Sequence, residues 1–119
     1  MNETSNDLSV VIVNYRTPEM TIRCIRSILY FGIAEASAIV VVDNMSNDGS
    51  ADAIASALPQ IRLIRSAVNQ GFGAGVNLGA CATTGNVLLV LNPDTYFLEN
   101  SVGSALALIQ SDRSIQLLF

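Results

Sequence analysis

Four short polar stretches hold the residues of this 119-residue sequence that could do chemistry. They are Asn14-Tyr15-Arg16-Thr17, the run from Asp43 to Ser50, the glycine loop Asn69-Gln70-Gly71-Phe72-Gly73-Ala74-Gly75, and Asn92-Pro93-Asp94-Thr95. A carboxylate such as Asp43 can accept from a base N–H or a ribose hydroxyl. One such as Asp94 can ligate a hard divalent cation, which prefers oxygen and bridges phosphates. Composition excludes much else. The sequence has no histidine, which removes Ser-His-Asp and Cys-His catalysis and histidine-ligated zinc. Its six basic residues are all arginine, so P-loop lysines and Schiff bases are absent too.

Each stretch follows an apolar run. Leu8–Val13 and Ala38–Val42 are rich in Val and Ile, as strands buried on both faces of a parallel sheet are, and Ile61–Arg65 and Val87–Leu91 read as a third and a fourth strand. Between them lie helical patterns. Thr17 suits an N-cap, Pro18 the first helical position and Glu19 the first turn, with Ile22, Ile25 and Leu29 on one face and Gly32 as the stop. Ala51, Ile54, Ala55 and Leu58 mark a second helix that ends at Pro59. A third, built of small residues, is expected to reach about Thr84, with Gly79, Ala80 and Ala82 letting it lie close to the sheet. Val102, Ala105, Leu106 and Ile109 mark a last helix, and Ile115–Phe119 a further strand.

This alternation predicts right-handed βαβ units in an α/β fold with a mostly parallel sheet. In such sheets ligands bind beyond the carboxyl ends of the strands, where all four polar stretches fall. Residues 1–7 read as a disordered tail. Because the sequence stops inside an apolar strand, residues 8–119 are expected to be the front part of a longer domain.

Half of the residues are hydrophobic and 13% are charged, with a mean hydropathy of +0.45, which excludes a disordered chain. A net charge of −4 gives no footprint for nucleic acid. Cys24 and Cys81 match no CxxC or disulfide spacing, and read as small buried residues in a reducing compartment. The polar, acidic start is the reverse of a signal peptide. The longest aliphatic run, Val87–Leu91, is far short of the roughly 18 residues a membrane helix needs. A soluble, cytosolic protein is expected.

Several candidates also have local explanations. Asp43-Asn44 can simply start a turn, and Asn92-Pro93-Asp94-Thr95 is a good turn sequence by itself. Asp48 suits capping of the second helix better than ligand contact. Asn69 and Asn77 suit pinning of the glycine loop, and Arg16, Arg23 and Arg26 read as solvated. The glycine loop is a poor dinucleotide fingerprint: Val76 stands where the third glycine is required, and the loop follows the third strand rather than the first.

Taken together, Val11-Ile12-Val13-Asn14-Tyr15, Val41-Val42-Asp43-Asn44 with Ser46 and Asp48-Gly49-Ser50, Asn69-Gln70-Gly71-Phe72 with Gly75 and Asn77, and Leu91-Asn92-Pro93-Asp94-Thr95 resemble family 2 glycosyltransferases. The rhamnosyltransferase-like branch is the most similar, and the resemblance spans about residues 8–119. It implies a three-layer α/β/α Rossmann-like GT-A fold, a UDP- or dTDP-sugar donor, a divalent metal (Mn²⁺ or Mg²⁺) and inversion at the anomeric carbon. By the same resemblance Tyr15 packs beside the donor base, Asp43 hydrogen-bonds the uracil or thymine ring, and Asn14, Asn69 and Gly71 belong to the donor site. Asp94 matches the last residue of the DxD motif, which holds the metal on the diphosphate. Asn92 replaces the first Asp of that motif, leaving one charged ligand and freeing Asn92 for ribose or phosphate.

The family's catalytic base has no counterpart here, so no catalytic residue is assigned and the sequence alone is expected to be inactive. The implied acceptor is a saccharide or lipid-linked hydroxyl, and the implied location is cytoplasmic, with the inner face of the membrane as an alternative. An apolar fourth strand without its later neighbour predicts a homo-oligomer. A non-catalytic nucleotide-binding or scaffold module, and less favourably a dinucleotide or SAM domain, are the alternatives.

Overall fold

The computed structural model describes residues 8–99. Strands β1 (Leu8–Asn14), β2 (Ile39–Asp43), β3 (Arg62–Arg65) and β4 (Val87–Leu91) alternate with helices α1 (Pro18–Tyr30), α2 (Ser50–Ala57) and α3 (Phe72–Cys81). A 3₁₀ turn, Ala36–Ala38, leads into β2. The strands are all parallel, in the order β3-β2-β1-β4. The tail at 1–7, the last helix and the strand at 115–119 lie outside the described residues.

Every residue of β1 and β2 is buried, which is why both read as continuous apolar runs rather than alternating ones. Alternate side chains serve different layers. Val10, Ile12, Ile39 and Val41 join Cys24, Ile25, Ile28 and Ile54 on the α1–α2 face. Val11, Val40 and Val42 form a smaller cluster on the other face, where α3 packs on β1 and β2.

The buried seam of α1 is Thr21, Cys24, Ile25 and Ile28, an i, i+3, i+4, i+7 set. It is rotated from the predicted Ile22–Ile25–Leu29 face; Ile22 and Leu29 flank it, partly buried. Thr17 is the N-cap and Pro18 opens the helix, but the Thr17 side chain makes no capping bond. Its hydroxyl donates to Asn14 Oδ1 at 3.1 Å instead. At the other end Gly32 takes φ +65°, and Ile33 N–H reaches back to the Ile28 carbonyl at 3.0 Å. This is a Schellman closure, with both isoleucines in the core.

The third helix ends at Cys81 rather than near Thr84. As expected, its small residues set its distance from the sheet. A Cβ placed on Gly79 would lie 2.6 Å from Val11 Cγ1, and one on Gly75 would lie 3.0 Å from Val13 Cγ1.

Only one cysteine is buried: Cys24 lies in the core, whereas Cys81 is exposed. The expectation for Cys81 is thereby corrected, since the last residue of α3 faces outward from the sheet's apolar layer. Burial, with a smaller opposing effect of Arg23 and a raising one of Asp94, pushes the Cys24 thiol from 9.0 up to about 12. An unfolded chain would release that proton first, so stability should fall as pH rises through the window from 9.0 toward 12. Native protein should therefore titrate one thiol rapidly, and a second only in guanidinium. Two fast thiols in native buffer would show that Cys24 is not shielded.

Candidate functional site

The strand register assembles the rim. Asn14 stands opposite Asp43, and Asp43 opposite Arg65, on one rung at the carboxyl end of β1, β2 and β3. On the other side of β1, Leu91 stands opposite Ile12, so residues 92–95 leave the sheet at the same rim. With β1 between them, the ends of β2 and β4 are about 10 Å apart, two interstrand spacings.

Asp43 is 5% exposed and its carboxylate is fully engaged on one oxygen. Oδ1 accepts from Asn14 Nδ2 at 2.8 Å and from the Ser46 hydroxyl at 2.6 Å. Oδ2 accepts a longer bond, 3.2 Å, from Ser46 N–H. Asn14 is 0% exposed and its carboxamide is used at both ends, since Oδ1 accepts from the hydroxyls of Thr21 at 2.8 Å and Thr17 at 3.1 Å. Asn14 therefore does not reach the surface, and its Nδ2 touches Asp43 and, at 3.4 Å, the Ser46 hydroxyl.

Ser46 ties this cluster to the loop after β1. Its hydroxyl accepts from Arg16 N–H at 2.9 Å, and its carbonyl accepts from Arg16 Nε at 3.0 Å. Arg16 also lies over the Tyr15 ring, 5.1 Å from its centroid, so it is built into the loop rather than merely solvated. Arg16, Met45 and Asn47 all adopt left-handed backbone, with φ of 61°, 57° and 55°. Such residues cost about 1–3 kcal/mol each and collect at functional sites. Tyr15 is 43% exposed.

Beside Asp43 opens a cleft of about 380 Å³, lined among others by Met45, Asn47, Ser50, Arg65 and Ser66. Arg65 is held at its edge by an ion pair with Asp52 at 2.8 Å. The N-cap of α2 is Gly49, with no side-chain capping bond; Asp48, expected to help cap the helix, stands one residue earlier and accepts from the backbone N–H and hydroxyl of Ser50, the first helical residue. Those bonds, the hydroxyl's first, hold its carboxyl below the usual value.

The glycine loop is braced from within. Asn69 Oδ1 accepts from Gly71 N–H at 2.9 Å, and Gly71 takes φ +94°, which favours glycine. Buried Asn44 donates to the Gly71 carbonyl at 3.0 Å, joining the β2 loop to the start of α3. Asn44, Gln70, Asn77 and Cys81 line a second cleft of about 370 Å³ on this side.

Asn92 and Asp94 are exposed on a turn closed by Thr95 N–H to the Asn92 carbonyl at 3.0 Å. The chain beyond docks on α1. Phe97 N–H donates to the Ser27 hydroxyl at 2.9 Å, and the Arg23 guanidinium sits 4.3 Å from the Tyr96 ring centroid. Arg23 is thus stacked, not free. Among the described residues no three His, Cys, Asp or Glu side chains converge as a metal cage. A lone carboxylate, Asp94, with Asn92 two residues before it, would suit only an oxygen-preferring cation that takes its other ligands from phosphate and water.

Reading the sequence assigns no role to Ser46, Thr21 or the Arg23–Tyr96 pair. A threonine within the apolar i, i+3, i+4, i+7 seam was the available signal for Thr21.

A parallel α/β sheet with acidic and amide residues along its carboxyl rim is an open α/β architecture, in which ligands bind beyond the carboxyl ends of the strands. Residues 9–118 match glycosyl transferase family 2, and the chain belongs to that family. Its fold is similar to S. aureus TarS 1–349, with a TM-score of 0.71 at 21% identity, over 90% of this chain and 33% of that one. Against the same TarS fragment in complex with UDP the TM-score is 0.73 at 18% identity, over 90% of this chain and 33% of that one. Against S. aureus TarS it is 0.69 at 20% identity, over 88% of this chain and 20% of that one. The chain thus spans a third of the length of TarS 1–349. These likenesses establish the α/β, GT-A-like fold. No curated protein matches the sequence. Among the described residues no helix is long and apolar enough to cross a membrane.

Proposed function

We propose that this chain carries the donor-binding half of an inverting glycosyltransferase that moves a sugar from a UDP- or dTDP-sugar to a saccharide or lipid-linked hydroxyl. The observation that carries this reading is the Asp43 carboxylate, held by Asn14 and Ser46 at the sheet rim and facing the 380 Å³ cleft. Being acceptor-only, it can receive a ring N–H, which uracil and thymine offer at N3. Tyr15 flanks the base. Asn69 and Gly71 contribute a braced loop to the donor site, and Asn92 meets ribose or phosphate.

Asp94 would hold a divalent cation on the diphosphate, a Lewis acid that offsets charge growing on the leaving group. The rim span of about 10 Å between β2 and β4 suits a base at one end and a diphosphate at the other. No residue of this chain is assigned as the base that deprotonates the acceptor.

Calorimetry with UDP tests the metal role. Wild-type affinity should be higher with Mn²⁺ than with EDTA. Asp94→Ala should remove the difference, with a loss of Mn²⁺ affinity of about 10–100-fold, a range reached even by outer-shell changes. Equal UDP affinity of the wild type in Mn²⁺ and in EDTA would refute it.

A further inference from the structure

We infer that Thr21, inside helix α1, is a positioning residue for nucleobase selection, acting through Asn14 on Asp43. The inference rests on the reading of Asp43 as the base acceptor. Thr21 and Asn14 are both 0% exposed, and they belong to neither cleft. Their polar groups nevertheless form a chain that ends on the Asp43 carboxylate at the rim.

The direction of that chain is set by chemistry. A carboxylate can only accept, so the Asn14 carboxamide must turn Nδ2 toward Asp43, as it does at 2.8 Å. Its Oδ1 then faces α1, and the Thr21 hydroxyl at 2.8 Å must donate to it. A hydroxyl could serve either orientation of the amide; the carboxylate could not. Thr21 O–H, the Asn14 amide and Asp43 Oδ1 are therefore aligned head to tail, each bond polarising the next.

The consequence appears on the second carboxylate oxygen. Oδ1 is taken by two short bonds, whereas Oδ2 receives only the 3.2 Å bond from Ser46 N–H. The relay thus fixes the carboxyl rotation so that Oδ2, with spare acceptor capacity, is the oxygen offered to a ring N–H. Without the Thr21 hydroxyl, Asn14 Oδ1 keeps only the longer 3.1 Å bond from Thr17. The amide keeps its orientation but is held less firmly, and so is the carboxylate it steers.

Binding of UDP and CDP to the wild type, Thr21→Val and Thr21→Ser decides the matter, because cytosine N3 carries no proton for Asp43 to accept. The wild type should prefer UDP. Thr21→Val should weaken UDP binding about 3- to 10-fold, the worth of one neutral hydrogen bond, and leave CDP unchanged. Thr21→Ser should restore the UDP preference. If Thr21→Val lowers the melting temperature but leaves the UDP/CDP ratio as in wild type, Thr21 is a core residue only and the inference fails. Should Thr21→Val not fold, Thr17→Val removes the other donor to the same oxygen; a shrunken ratio supports the relay and an unmoved ratio overturns it. Asp43→Asn separates the two levels. If it abolishes the preference while the threonine variants keep it, the relay alone is wrong; if it keeps the preference, the reading of Asp43 falls and takes the relay with it.

Discussion

Asp43→Asn should cost the protein about 1–3 kcal/mol in UDP affinity and a similar amount in folding stability, because no orientation of the new amide satisfies its neighbours. With its oxygen toward Asn14 and the Ser46 hydroxyl, its NH₂ meets Ser46 N–H, donor against donor. With the amide reversed, the NH₂ meets the Asn14 donor. In the better orientation the group offered to the cleft is also a donor, which opposes a uracil or thymine N3–H. Since Asp43 lies on β2 and Asp94 beyond β4, the affinity loss should be the same in Mn²⁺ and in EDTA. Calorimetry and urea unfolding measure the two losses separately. A variant that loses stability but binds UDP as the wild type does would make Asp43 a turn residue.

A second large effect is expected where the sheet and α3 touch. Gly→Ala inside a helix ordinarily gains about 1 kcal/mol. At Gly79 the added Cβ would sit 2.6 Å from Val11 Cγ1 and 3.1 Å from Val42 Cγ2, both on strand residues with 0% exposure. Neither valine can swing away, so overpacking of about 1–3 kcal/mol outweighs the propensity gain. Gly79→Ala should therefore destabilise, and Gly79→Val more so. Gly73, in the same helix with nothing within 4 Å of its added Cβ, is the control. Gly73→Ala should be neutral or stabilising by up to about 1 kcal/mol. Denaturant midpoints of the pair decide it; similar behaviour at the two positions would show that α3 is not seated on the sheet as described. The start of α3 is also tied to Asn44 through Gly71, so lifting the helix should disturb the second cleft as well.

The elements were legible in the sequence because each is decided by neighbours a few residues away. Continuous Val/Ile runs announced β1 and β2, the Thr17-Pro18 pair announced the start of α1, and Gly32 its end. The four polar stretches could be placed on one rim for the same reason: each directly follows a strand, and parallel strands share their carboxyl end. Asp48 at the start of α2, and Asn69 as the brace of its glycine loop, were readable because their partners lie two residues on.

What only the tertiary structure decided involves partners far apart in the chain. Asn14 meets Asp43 across 29 residues, and Phe97 meets Ser27 across 70; no local propensity encodes such a register. Thr17 read correctly as a cap position, yet its hydroxyl goes to Asn14, because a buried amide oxygen competes better than a helix end open to water. The rotation of the α1 seam, which buries Thr21 and half-exposes Ile22, follows from the shape of the sheet it covers. Cys81 turned out exposed because only the glycine face of α3 is pressed against the strands. Residue types and spacing thus set which groups stand at the rim. Strand register and helix rotation, which arise only when the layers pack, decide which of them hold one another and which are left free for a ligand.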